Sequence, residues 1–127
     1  MSSAAIMAVI KQKEAELQKL KGTQQQVTKV SDAVDCMTYK FQNAANLINE
    51  SGTIGGMPID NGATTVVAEN FKKVSSDTQD VLTQITGTIS ALESEIASLY
   101  AAYQASLARE AEEAARAAAA EKNKRGY

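Results

Sequence analysis

Histidine and tryptophan are absent from this chain, proline and cysteine each occur once, and aromatic residues make up only 5% of it. Each shortage excludes something. Without histidine there is no imidazole to serve as a general base near neutral pH or to complete a zinc site. The lone thiol, Cys36, has no second cysteine for an internal disulfide. One-signed charge is missing too: 13 basic and 15 acidic residues intersperse to a net −2, so no long-range field draws nucleic acid or an anionic membrane. The opening stretch, MSSAAIMAVIKQKEAELQKL, has a short apolar run with no basic region ahead of it, far below the ~20 apolar residues of a membrane span. It reads as neither a secretory signal nor a membrane anchor. The expectation is no cofactor, no metal, no nucleic acid and no membrane insertion, with a cytoplasmic location or non-classical export alongside a partner.

Catalytic constellations are as scarce as the residues that build them. No glycine-rich loop joins a strand to a helix, and no carboxylate pair stands in an apolar pocket. Asp32 with Asp35, Asp77 with Asp80, and Glu93 with Glu95 read as solvated helix faces. Cys36 stands off the apolar stripe and reads as an incidental thiol. The chain is expected to be a non-enzyme.

What is present is helical periodicity. Leu20, Val27, Val34, Phe41 and Ile48 recur every seventh residue, and Val30, Met37 and Ala44 follow three positions after their predecessors, an a/d pattern of the coiled-coil kind. Ile6, Ile10 and Leu17 extend this stripe toward the start. A second stripe opens with Val67, Phe71 and Val74. It continues through Leu82, Ile89, Ile96 and Tyr103 at sevens, interleaved with Ile85, Leu92 and Leu99. The breakers gather between the stripes: NESGTIGGMPIDNGA, residues 49–63, holds the only proline and four of the seven glycines. Gly55, Gly56 and Gly62 can reverse the chain through positive φ, and Pro58 cannot continue a helix.

Two stripes of equal length about one turn predict a single all-α domain over 1–127. It is an antiparallel two-helix hairpin, coiled-coil-like, with helix 1 over about 3–50, the turn over about 51–63 and helix 2 over about 64–122. Each stripe is roughly 63 Å long at ~1.5 Å per residue. Folding about residue 56 puts Phe41 beside Phe71, Leu17 beside Ile96 and Ile10 beside Tyr103. It also sets Gly22, Thr23, Gln24 and Gln25 level with Thr86, Gly87, Thr88 and Ser90, a polar layer containing glycine. The seam is expected at Leu20, Val27, Val34, Met37, Phe41, Phe71, Ile85, Leu92, Ile96, Leu99 and Tyr103.

The apolar surface exceeds what one neighbouring helix covers. Alanine supplies 22 residues and little burial per side chain, whereas Met7, Val9, Leu47, Val66, Val81 and Tyr100 widen the stripe beyond the seam. A two-helix hairpin is marginal against ~1–2 kcal/mol of backbone entropy per residue. A helical partner, or a second copy forming a homodimer, is therefore expected to complete a bundle. After Leu107 the chain becomes alanine-rich and charged, SLAREAEEAARAAAAEKNKRGY. Residues 108–127 are expected as a solvated helical tail supported by i,i+4 pairs, with Lys122, Lys124 and Arg125 suited to the helix C-terminus.

The segments AVIKQKEAELQKLKGTQQQVTKV, ENFKKVSSD and ISALESEIASLYAAY carry a resemblance. With the mid-chain turn between them, they look like the YwqH-like helical proteins encoded beside LXG-domain toxins of Gram-positive bacteria, within the WXG and ESX-like proteins of type VII secretion. The resemblance implies a targeting or chaperone-like subunit. Such a subunit packs on the helical N-terminal region of a toxin, or on a companion hairpin, and accompanies it to the secretion machinery. Departures are visible. No Trp-x-Gly occurs, and no tyrosine lies four residues before an acid, since Tyr100 leads to Gln104 and Tyr103 to Leu107. The export signal then falls to the partner, or to a composite one to which the helical tail contributes. A phage or particle scaffolding protein, a coiled-coil adaptor and a filament subunit share the same pattern and stand as alternatives.

Overall fold

In the computed structural model the chain is an all-α helical hairpin. Helix α1 spans Ser3–Ser51 and helix α2 spans Asn61–Arg125. Between them lies a short antiparallel pair, β1 (Thr53–Ile54) and β2 (Met57–Pro58), with Thr53 opposite Pro58 and Ile54 opposite Met57. The structure describes the backbone of residues 1–51, 53–54, 57–58 and 61–125, and the side chains of 1–48, 50, 62 and 64–125. Gly55 and Gly56, assigned to the reversal from sequence, lie outside the described residues. Pro58 stands in β2, and Gly62 stands in the first turn of α2.

The chain divides into two compact units, Met1–Leu20 with Thr88–Tyr127, and Lys21–Gly87. In the first unit the apolar stripes do what their periodicity predicts. Ile6, Ile10 and Leu17 of α1 and Ile89, Leu92 and Ile96 of α2 are buried, and Ile10 is wholly inaccessible. Burial of a fully enclosed aliphatic side chain contributes about 1.5–3 kcal/mol, and half-buried Met7, Val9, Leu20, Leu99 and Tyr103 add to the six. Polar contacts fix the antiparallel register. Lys13 Nζ lies 3.3 Å from Glu95 Oε1, and Tyr100 Oη donates to Glu14 Oε1 at 2.7 Å, a bond to a carboxylate that raises the phenol's pKa.

The start of α1 is capped twice. Ser2 Oγ accepts the Ala5 N–H at 3.2 Å and the Ser2 carbonyl accepts the Ile6 N–H at 3.0 Å, as an N-cap serine does. The Glu110 carboxylate, from α2, accepts the Ser3 N–H at 2.9 Å and the Ser3 hydroxyl. The hydroxyl bond, then the backbone bond, hold its pKa below the ordinary glutamate value against a small opposing cost of burial. Ser106 Oγ and Arg109 Nη2 donate to the Met1 carbonyl at 3.2 and 3.1 Å. The packed part of α2 thus reaches Glu110, three residues past the last large apolar side chain of the helix. From there, residues 111–125 are exposed throughout, with i,i+4 pairs Glu112 to Arg116 at 2.7 Å and Glu121 to Arg125 at 3.0 Å.

The second unit is built differently. Phe41 and Phe71 meet with ring centroids 5.3 Å apart and tilted by 34°, within the separation at which aromatic pairs attract. Around them half-buried Val27, Val34, Leu82 and Ile85 face inward, interrupted by polar side chains that bond across the helices. Gln24 Nε2 donates to Thr86 Oγ1 at 3.1 Å, Gln79 Nε2 donates to Ser31 Oγ at 2.8 Å, and Ser75 Oγ donates to Asp35 Oδ1 at 3.0 Å. Thr38, Thr78 and Thr83 turn their hydroxyls back on carbonyls of their own helix, four residues earlier. The polar layer expected from sequence is present in the Gln24–Thr86 bond. Gly22 and Gly87 flank it, and a Cβ built on either meets nothing within 4 Å.

Candidate docking surface

The spacing of inward positions explains what the second unit leaves outside. In α2, residues 64, 68, 71, 75, 78, 82 and 85 are half-buried, and 89, 92, 96, 99, 103, 106 and 110 continue the alternation of fours and threes. In α1 the same alternation runs through 3, 6, 10, 13, 17, 20, 24, 27, 31, 34, 38, 41, 45 and 48. An unbroken helix keeps its phase, so the step after Val27 is four residues, to Ser31, and the step after Val34 is four residues, to Thr38.

This corrects the seam read from the sequence. Met37 is 55% exposed, Val30 is 54% exposed, and Ala44 is exposed as well, whereas Ser31 is 4% exposed. Apolarity favoured the step of three after each heptad residue; phase selects the step of four. Ser31, Thr38 and Ala45 fill the positions after these steps of four, and Val30 and Met37 turn to the flank. Leu20, Val27, Val34, Phe41, Phe71, Ile85, Leu99 and Tyr103 stand half-buried on the helix faces turned inward, and Leu92 and Ile96 are buried.

The second unit therefore has two unlike edges. One edge is polar, where Asp35 and Gln79 bond across the helices. The other is apolar. Val34, Met37, Val67, Asn70, Phe71 and Val74 line one shallow depression, and Val27, Val30, Val74, Asp77, Thr78 and Val81 line a second. Val74 belongs to both, so they form one continuous groove between α1 and α2. Val67, Val74 and Val81 repeat every seven residues and remain substantially exposed. They extend along α2 for roughly 21 Å, about four helical turns.

At the rim, Lys40 stands one turn beyond Met37 on α1, and Asp77 lines the groove from α2. The sequence reading placed Asp77 on a solvated helix face and did not single out Lys40, because which side of the groove each stands on is visible only once the phase is fixed. No group of three or more cysteine, aspartate or glutamate side chains able to hold a metal occurs among the described residues, and no described helix is long and apolar enough to cross a membrane. No protein-family model, curated protein or solved structure matches this chain.

Proposed function

We propose that this chain is a non-enzymatic helical docking subunit. In this reading the helical N-terminal region of a type VII-secreted toxin packs on it, and it helps deliver that toxin for export. The observation that carries the docking reading is the unequal placement of apolar side chains in the Lys21–Gly87 unit, where serine and threonine occupy inner positions while Val30, Met37, Val67, Val74 and Val81 face outward. An exposed apolar stripe beside a polar one is the geometry by which helices receive other helices. The secretion assignment rests on the sequence resemblance.

Affinity purification from the native host, with identification of near-stoichiometric partners, tests the proposal. Recovery of a larger protein with a helical N-terminal region and a toxin-like C-terminal domain supports it. Recovery of shell proteins, or of this chain alone in large assemblies, refutes it and favours the scaffold or filament reading.

A further inference from the structure

We infer that the groove of the Lys21–Gly87 unit takes a single amphipathic helix of another chain, about four turns long, and not a second copy of this protein. The inference rests on the docking reading and adds which face is used and what kind of partner fits it. The occupant carries an apolar ridge against Val30, Met37, Val67, Val74 and Val81, an acid placed toward Lys40 and a base placed toward Asp77.

Area sets the first limit. The exposed parts of these five side chains amount to a few hundred Å², about half of the ~800 Å² that each partner contributes to a standard interface. A lone helix is suited to a patch of this size, because its convex ridge enters the depression between α1 and α2 and meets both walls.

Charge sets the second limit. The cross-helix contacts Ser31 to Gln79, Asp35 to Ser75 and Phe41 to Phe71 show that residues at one level have numbers summing to about 110–112. Asp77 therefore stands level with residues 33–35 of α1, near the middle of the groove, and Lys40 stands level with residues 70–72 of α2. A two-fold axis across the helices at the groove's centre would bring Asp77 within about a turn of its own copy, like charge against like. An axis parallel to the helices would set Lys40 opposite Asn70, and Asp77 opposite Ala33 of the other copy, leaving both charges unmatched. A different helix, with its acid and base offset by about 9 Å along its axis, matches both at once.

The test places a photoreactive phenylalanine derivative at Met37 or Val74 of the full chain in the native host, followed by sequencing of the cross-linked peptides. The expected product joins this chain to one helical segment of a different protein, with apolar residues at three- and four-residue spacing and an acid and a base on opposite flanks. Met37→Glu and Val74→Asp, both at exposed positions, should keep the helical circular dichroism and weaken binding of that peptide about a hundredfold. Tyr39→Ser, off the groove, should leave binding unchanged. Lys40→Glu should weaken binding and be rescued by reversing the peptide's acid to lysine. Cross-links to this chain itself overturn the inference. If a toxin-like partner co-purifies but Met37→Glu and Val74→Asp leave the complex intact, this inference fails while the docking function stands. If no foreign helix is recovered, both fail.

Discussion

The sharpest consequence of the two unlike units is a contrast between Ile10→Ala and Met37→Ala. Ile10 is wholly buried in the Met1–Leu20 with Thr88–Tyr127 unit. Truncation removes three carbons, worth about 2.4 kcal/mol at ~0.8 kcal/mol each, and the unfilled space raises the loss to about 3–4 kcal/mol. Met37 is more than half exposed and stands in a helix that alanine also favours, so its truncation should cost less than about 1 kcal/mol. Urea unfolding followed by far-ultraviolet circular dichroism reads both changes. Amide hydrogen exchange should place the Ile10→Ala loss around residues 6–17. A loss below about 1 kcal/mol for Ile10→Ala, or equal losses for the two variants, would refute the claim that apolar stability is concentrated in the first unit.

Three further outcomes follow from particular contacts. Gly22→Ala and Gly87→Ala each place a methyl in open space and should stabilise the chain by about 0.5–1 kcal/mol in the same urea titration; destabilisation would show that these helix positions need glycine for another reason. The Glu110 carboxylate has a lowered pKa in the folded chain, so its contribution to stability is complete above the unfolded glutamate pKa and is lost as pH falls through the folded value. The wild type should therefore lose stability over that acidic window more steeply than Glu110→Gln, and parallel pH profiles would remove the cap's role. Truncation after Glu110 should leave hydrogen-exchange protection at the start of α1 unchanged, whereas truncation after Leu107 should reduce it, because only the shorter chain lacks Arg109 and Glu110. Equal protection in the two chains would argue against the tertiary cap.

Much of the fold was legible because it rests on periodicity that survives in any orientation. The breakers at 49–63 located the reversal, and pairing stripes of equal length about it put Phe41 against Phe71 and Gln24 level with Thr86, both of which the structure shows. Two features escaped for a common reason: hydropathy does not record polar packing. Glu110 stands where the apolar residues have run out, yet its carboxylate reaches Ser3. Ser31 looks like a surface residue beside Val30, yet it is among the few buried polar side chains. The outward placement of Met37 could have been found by extending the threes and fours from Ile6, Ile10 and Leu17 without re-choosing the phase at each apolar residue.

That phase gives the exposed groove its meaning. Moving the valine at 30 and the methionine at 37 each by one position would put them in the places of Ser31 and Thr38, and the Lys21–Gly87 unit would then bury apolar side chains where it now buries small polar ones. The Ser31 position is buried and the Thr38 position half-buried, so the existing order gives up about 2–4 kcal/mol of intramolecular stability over two heptads. Chance exposure of single apolar residues is ordinary on protein surfaces, but here the displacement repeats on both helices and on the same edge. Val30 and Met37 meet Val67, Val74 and Val81 across a groove, while the opposite edge is closed by hydrogen bonds. A chain selected only for the stability of its own hairpin has no physical reason for that asymmetry. The Lys21–Gly87 unit holds its helices together through the Phe41–Phe71 pair, inward aliphatic residues and cross-helix hydrogen bonds, and leaves Val30, Met37, Val67, Val74 and Val81 exposed on one edge, the placement on which the proposed docking of a helix rests.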